Sequence, residues 1–131
     1  MPDLPASHRD LLDSGVATLA TIGPDGRPQL SAVWFVSDGD SIELSLNSSR
    51  QKTKNLAANP KCNLFILDLA TPSRYLEVRA DAEISVDADG ACAARVNAKY
   101  GAHVEDNDRE GETRVKVSIL PVRVNAIDIA H

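Results

Sequence analysis

The chain has 131 residues, of which 43% are hydrophobic and 25% charged, a composition that excludes disorder and fits one soluble domain able to bury a core. Its formal net charge of -5 argues against general nucleic-acid binding, which needs a broad basic surface. No apolar run is long enough to span a bilayer, and the opening Met1-Pro2-Asp3-Leu4-Pro5 lacks the basic and apolar regions of a signal peptide, so the expected location is cytoplasmic.

From the N-terminus, Pro5 to Gly15 reads as a short helix, with Ser7 as N-cap, Leu11 and Leu12 as an apolar edge and Gly15 at its end. Val16 to Ile22 is β-branched and apolar. The turn sequence Gly23-Pro24-Asp25-Gly26 then predicts a hairpin with the run Pro28 to Val36. Within that second strand Leu30, Ala32, Trp34 and Val36 share one face and Gln29, Ser31, Val33 and Phe35 the other. Trp34 is assigned to the core with its apolar row, which leaves Phe35 for a groove or an interface. After Ser37-Asp38-Gly39-Asp40, Ile42, Leu44 and Leu46 alternate with Ser41, Glu43 and Ser45 in a third strand.

The next stretch stands out chemically. Between Leu44 and Leu67 there is no Asp or Glu, whereas Arg50, Lys52, Lys54 and Lys61 supply four positive charges in an acidic protein. A polar turn, Asn47-Ser48-Ser49, leads into a basic helix from Arg50 to Ala58. A helix start already favours anions through its free N–H groups and dipole, and cationic side chains add charge-assisted hydrogen bonds. An anion site is therefore expected here. The plainer alternative is a solvated basic face.

Past Pro60, Cys62 to Asp68 forms a compact apolar strand, broken by Ala70-Thr71-Pro72-Ser73. Tyr75 to Val86 alternates most cleanly: Leu76, Val78, Ala80, Ala82, Ile84 and Val86 face one way and charged or polar residues the other, as in a strand with one wet face. Asp87-Ala88-Asp89-Gly90 leads into a helix through Tyr100. His103 to Glu112 is acidic and reads as a solvated loop, with gating of a pocket as the alternative. Val115, Val117 and Ile119 open a last strand that Pro121 interrupts before Val122, Val124 and Ala126. Cys62 and Cys92 read as buried free thiols. His8, His103 and His131 are scattered without ligand spacing, so no metal site is expected. Six or seven strands with three short helices and no βαβ alternation predict a single mainly β domain over 1–131, an antiparallel barrel with helical plugs.

The ordered blocks Leu19-Ala20-Thr21-Ile22, Asp25-Gly26-Arg27-Pro28-Gln29-Leu30-Ser31, Val33-Trp34-Phe35, Ser49-Arg50-Gln51-Lys52-Thr53-Lys54-Asn55-Leu56 and Arg74-Tyr75-Leu76-Glu77-Val78 resemble the split β-barrel flavin and deazaflavin oxidoreductases. These are the pyridoxamine-phosphate-oxidase-like proteins, and the likeness is to their small actinobacterial branch that uses coenzyme F420. It runs from Leu11 to Asp128. The resemblance implies a six-stranded antiparallel split barrel of the FMN-binding type, assembled as a homodimer with cofactor sites where the barrels meet. It carries Gln29, Ser31 and Val33 over as contacts to the tricyclic ring and Ser45 as a contact near the phosphoribityl chain. Ser49, Arg50, Lys52 and Asn55 become the phosphate-binding helix start. Arg74 and Tyr75 fall where the second subunit closes the site. The chain lacks the C-terminal Trp-Arg and Arg-Leu-x-Pro segment of the vitamin-forming oxidases, so pyridoxamine phosphate oxidation is not expected.

A deazaflavin or flavin carries the hydride itself, so no catalytic side chain is assigned and the missing triad is no obstacle. Tyr75 reads as a surface or interface residue, with proton donation as the lesser alternative. The expected function is hydride transfer from reduced F420 to an electron-poor small-molecule acceptor. FMN as cofactor, or cofactor binding without catalysis, are the alternatives. Lys54 and Lys61 could meet the polyglutamate tail that distinguishes F420 from FMN. No nucleic-acid or membrane partner is expected.

Overall fold

The computed structural model describes residues 2–129; Met1, Ala130 and His131 lie outside the described residues, among them parts of the readings of the N-terminus and of the histidines. The strands are β1 (Ala17–Ile22), β2 (Pro28–Val33), β3 (Val36–Asp38), β4 (Ser41–Asn47), β5 (Lys61–Leu67), β6 (Arg74–Val86) and β7 (Arg114–Asp128). Two α-helices, α1 (Gln51–Ala58) and α2 (Ala91–Tyr100), and 3₁₀ turns at Ala6–Asp13 and Val104–Asn107 complete the chain.

All seven strands form one sheet in the order β2-β1-β5-β6-β7-β4-β3, every pair antiparallel. Its two edge strands, β2 and β3, are separated in sequence by Trp34 and Phe35 alone. Two residues span only about 7 Å even when extended. The edges of the sheet must therefore meet, so the sheet curls into a barrel with a seam. That is the expected mainly β barrel, with seven strands in place of six because the run Pro28 to Val36 is broken at the corner.

The two aromatics take the reverse of their expected roles. Phe35 is 0% exposed and belongs to the core, whereas Trp34 is 44% exposed and Leu30, on the same side of β2, is 68% exposed. The alternation itself holds through Phe35: Gln29, Ser31, Val33 and Phe35 form the inward row and Leu30, Ala32 and Trp34 the exposed one, and only at Val36, also buried, does the phase slip. Around Phe35 the core gathers Leu19, Ile42, Leu44, Leu64, Ile66, Leu76, Val78 and Val117, the inward rows of β1, β4, β5, β6 and β7.

Local chemistry explains the remaining elements. Gly26, at φ 82, supplies the left-handed residue of the β1–β2 turn, where Asp25 Oδ1 accepts the Arg27 N–H at 3.0 Å. The Asp87 carboxylate accepts the N–H groups of Cys92 and Ala93 at 3.2 and 2.9 Å and so caps α2. The first helix is 3₁₀ and starts after Pro5; Ser7 bonds His8 Nδ1 rather than capping it, and buried His8 reaches the Ile127 carbonyl at 2.9 Å. Pro121 does not end the last strand. It faces Ala80 while Arg123 faces Arg79, so Val122 is an extra residue in a β-bulge that absorbs the proline. Cys62 and Cys92 are buried and free, as expected. Burial pushes both thiols up to about 11, so neither is ionised near neutrality.

A candidate anion and ring-binding site at the barrel seam

β3 pairs only with Ser41 to Glu43 of β4, so β4 has no strand beside it there from Leu44 onward. β2 is likewise paired only with β1. Between these two free edges lies a cavity of about 410 Å³, whose walls include Val33, Trp34, Ser45, Arg50, Lys52 and Arg114. That volume falls within the range of about 300–1,000 Å³ typical of small-molecule sites.

Its floor is organised by Asn47, buried at the end of β4. Asn47 Oδ1 accepts the Ser49 N–H at 2.8 Å and the Ser49 hydroxyl at 2.7 Å, an Asx turn. Its carbonyl accepts the Thr53 hydroxyl at 2.8 Å and the Arg50 N–H at 3.2 Å, and its Nδ2 donates to Asp108 at 2.7 Å and Glu112 at 3.2 Å. The chain thus leaves β4 through a fixed turn and enters α1 with Arg50 at the N-cap position, in extended conformation and without a side-chain cap. A guanidinium has no acceptor to offer the first N–H groups of the helix. They remain available to an external anion.

The side chains of Arg50 and Lys52 have no hydrogen bond or ion pair with other described residues. Burial, and then repulsion from Arg50, lower the Lys52 pKa from its ordinary 10.5. An anion between the two relieves both penalties. Arg114, on the opposite wall, is already engaged: it pairs with Asp108 and donates to the carbonyls of Val104 and Ser45 at 2.9 and 3.4 Å. The acidic segment is therefore not simply solvated. Asp108 and Glu112 fold it back onto Asn47 and Arg114, bringing Val104 and Asn107 to the cavity wall.

Two buried hydroxyls, Ser31 Oγ on β2 and Ser45 Oγ on β4, have no hydrogen-bond partner among the described residues. Leaving such a group unsatisfied costs about 1–3 kcal/mol. Ser45 lies in the cavity wall, so a ligand with polar edges fits the vacancy in its hydrogen bonding. Among the lining residues the titratable side chains are Arg50, Lys52 and Arg114, all cations, with no histidine or carboxylate. Such a wall can bind an anion and orient a ring; it has no side chain suited to general acid–base work near neutral pH.

Of the residues singled out from the sequence, Val33, Ser45, Arg50 and Lys52 meet in the cavity wall. Ser49 stands at its floor through Asn47. Gln29 and Asn55 stand behind it: Asn55, 3% exposed, donates to Gln29 Oε1 at 2.8 Å and Thr21 Oγ1 at 3.0 Å, and accepts from Gln51 at 2.8 Å. Asn55 thus acts on α1 and β2 rather than at the cavity surface. Arg74 and Tyr75 are elsewhere in the chain. Arg74 pairs with Asp10 and Asp68 and donates to the Ser7 carbonyl, and Tyr75 packs on Phe65 with ring centroids 5.0 Å apart. Asn47, Asp108 and Arg114 were not singled out from the sequence. An Asn before Ser-Ser is a recognisable Asx-turn signal, but contacts 61 and 69 residues away leave no local trace.

The family model described as Pyridoxamine 5'-phosphate oxidase matches residues 4–128. A solved structure called an F420 reductase is 33% identical over 93% of this chain and 98% of its own, with a TM-score of 0.78. A conserved hypothetical protein from Mycobacterium tuberculosis is 28% identical over 98% of this chain and 86% of its own, also at 0.78. A heme binding protein from Mycobacterium smegmatis, 20% identical over 99% of this chain and 57% of its own, shares the fold at 0.74. With the match spanning nearly every described strand and the barrel seam present, the chain belongs to the pyridoxamine 5'-phosphate oxidase family of split β-barrel proteins.

Proposed function

We propose that the protein is an oxidoreductase that uses coenzyme F420 and passes hydride from the reduced deazaflavin to an electron-poor organic acceptor. The observation that carries this reading is the pair of unpartnered cations, Arg50 and Lys52, at an uncapped helix start beside the orphaned Ser45 hydroxyl. The likeness to an F420 reductase at 33% identity favours the deazaflavin. When bound, the cofactor supplies the hydride chemistry.

The chain's own residues bind, orient and exclude water. Arg50, Lys52 and the first N–H groups of α1 hold the phosphate, with Ser49 at the turn. Ser45 offers its hydroxyl to the chain between phosphate and ring. Gln29, Ser31 and Val33 line the ring's approach along β2, and Asn55 fixes Gln29. Val33, Trp34, Leu46 and Val104 keep part of the wall apolar. Two subunits are proposed with the site. Tyr75, on the outward face of β6 against Phe65, then belongs to the interface, while Arg74 keeps its carboxylate partners within the protomer.

FMN is the second reading, because it too carries a phosphate on its ribityl chain and the family model is that of an oxidase. Titration of purified protein with F420 and with FMN separates the two. Tight F420 binding and oxidation of the reduced form by an added acceptor support the proposal; tight FMN binding without response to F420 would sink it.

A further inference from the structure

Trp34, the single tryptophan of the chain, is 44% exposed yet forms part of the cavity wall. Its indole is firmly seated. Tyr100 of α2 lies against it with ring centroids 4.5 Å apart and planes 8° from parallel. Tyr100 is in turn pinned by the backbone of the next residue: the Phe35 N–H donates to its phenol oxygen at 3.0 Å, and its O–H donates to the Phe35 carbonyl at 3.2 Å. Lys99 completes the brace, donating to that carbonyl at 2.8 Å with its ammonium 3.8 Å from the Phe35 ring centroid. The corner between the sheet edges thus carries an indole backed on one face by a locked phenol. The opposite face of the stack has no aromatic partner among the described residues.

A half-exposed aromatic is ordinary on a protein surface, but such side chains are usually free to turn. This one is held in a single orientation at the wall of the site, so a flat ligand loses little freedom by settling on it, and stacked π systems gain beyond their buried area. Trp34 follows Val33 at the end of β2. Trp34 lines the same cavity as Val33 and lies just past the end of β2, so a molecule stacked on it there would sit next to a ring bound along Gln29, Ser31 and Val33.

We propose that Trp34, backed by Tyr100, is a stacking platform for the acceptor, and that it selects planar conjugated molecules of the quinone type over puckered ones. The proposal rests on the oxidoreductase reading for the word acceptor, but its test is a binding measurement that does not need turnover.

The probes are menadione, a flat naphthoquinone, and cyclohexenone, a puckered enone, each titrated by calorimetry into wild type, Trp34→Phe and Trp34→Leu. Each protein is measured with and without bound F420 or FMN, and unfolding midpoints confirm that the variants fold. Loss of the aromatic face should weaken menadione at least tenfold in Trp34→Leu and less than threefold in Trp34→Phe. Cyclohexenone and cofactor affinities should stay within twofold, and quenching of the single-tryptophan emission by menadione should saturate at the calorimetric affinity. The platform is overturned if Trp34→Leu weakens both probes alike or neither. It is also overturned if the variant loses cofactor affinity tenfold, which assigns the indole to the cofactor, or dissociates a dimer, which assigns it to an interface. Menadione binding that depends on Trp34 without turnover supports the platform and counts against the reductase. Turnover with no planar preference does the reverse.

Discussion

Asn55, inside the basic helix α1, donates its amide hydrogen to Gln29 Oε1 on β2 at 2.8 Å, joining the phosphate end of the proposed site to its ring strand. The same amide reaches Thr21 on β1 at 3.0 Å. Replacing Asn55 with Ala removes a hydrogen bond from buried Thr21 and half-buried Gln29, at about 1–3 kcal/mol for each one that water cannot reach, whereas exposed Gln51 turns to solvent. Urea unfolding should show a loss of that size. Cofactor affinity should fall with it, since Gln29 and the start of α1 lose their common anchor; unchanged affinity in folded protein would show that the link does not position the site.

Changing Arg50 and Lys52 together to Ala should weaken cofactor binding more than 100-fold, as each charge-assisted hydrogen bond is worth about 1.5–3 kcal/mol. Because neither has a protein partner among the described residues, the unfolding free energy should change by less than about 0.5 kcal/mol. Fluorescence titration and thermal unfolding measure the two effects. Loss of stability without loss of affinity would refute the phosphate assignment.

Lys52 gives the binding a pH signature. Burial and the neighbouring Arg50 lower its pKa from 10.5, so in the free protein folding disfavours its charged form. That penalty applies at neutral pH and is relieved as pH rises through the lowered value towards 10.5. A bound phosphate pushes the pKa back up. Affinity should therefore decline as pH rises above the lowered value, with proton uptake on binding detectable by calorimetry in buffers of different ionisation enthalpy. Lys52→Arg, charged throughout, should flatten the profile.

Arg74 makes the opposite contribution at acid pH. Its hydrogen bonds are the largest cause holding the Asp10 and Asp68 carboxyls below their ordinary 3.8. Lowered carboxyl values stabilise the fold above 3.8, and that stabilisation is lost as pH falls through them. Arg74→Met should lower stability at neutral pH and make the loss below pH 4 shallower, as followed by circular dichroism. The size is small, because these carboxylates are solvent-screened. Cofactor affinity in the variant tests whether Arg74 has any part in the site.

Phe35→Ala should cost about 3–5 kcal/mol, the usual range for a phenylalanine emptied from a core. Trp34→Phe should cost far less, because the indole is half exposed. Equal losses in urea unfolding would contradict the inverted roles of the two.

Much of this was readable from the chain because alternation and turn chemistry are local. β6 shows its wet and dry rows in sequence, and the acid-free helix start, read as an anion site, brings Arg50 and Lys52 to the wall of a cavity. What escaped depended on distant geometry. Trp34 and Phe35 exchanged roles because both faces of their strand carry apolar groups, and the row that turns inward is the one with Gln29 and Ser31, not the one with Leu30 and Trp34. Asn55 looked like a ligand-facing amide but is turned inward by Thr21 and Gln29, partners 34 and 26 residues away. The acidic loop looked solvated because Arg114 and Asn47, which fold it back, are unremarkable in isolation. Pro121 read as an interruption of the last strand because a bulge, which lets the pairing continue past it, leaves no mark on the residue it accommodates.

The position of β7 between β6 and β4 bears on how the protein matures. Through β7 alone, the half-sheet β2-β1-β5-β6 is bonded to the pair β4-β3, and β7 is the last of these seven strands to be synthesised. Until Arg114–Asp128 is available the two halves are tethered but unpaired. The gap between β2 and β4 then has no fixed width, and Arg114, one of its walls, is absent. A nascent chain can form hairpins early, whereas the long-range pairings that define the site come at the end and set the pace. A cofactor held at the proposed site would then be captured only after β7 has paired, and added cofactor should speed only the final step of refolding.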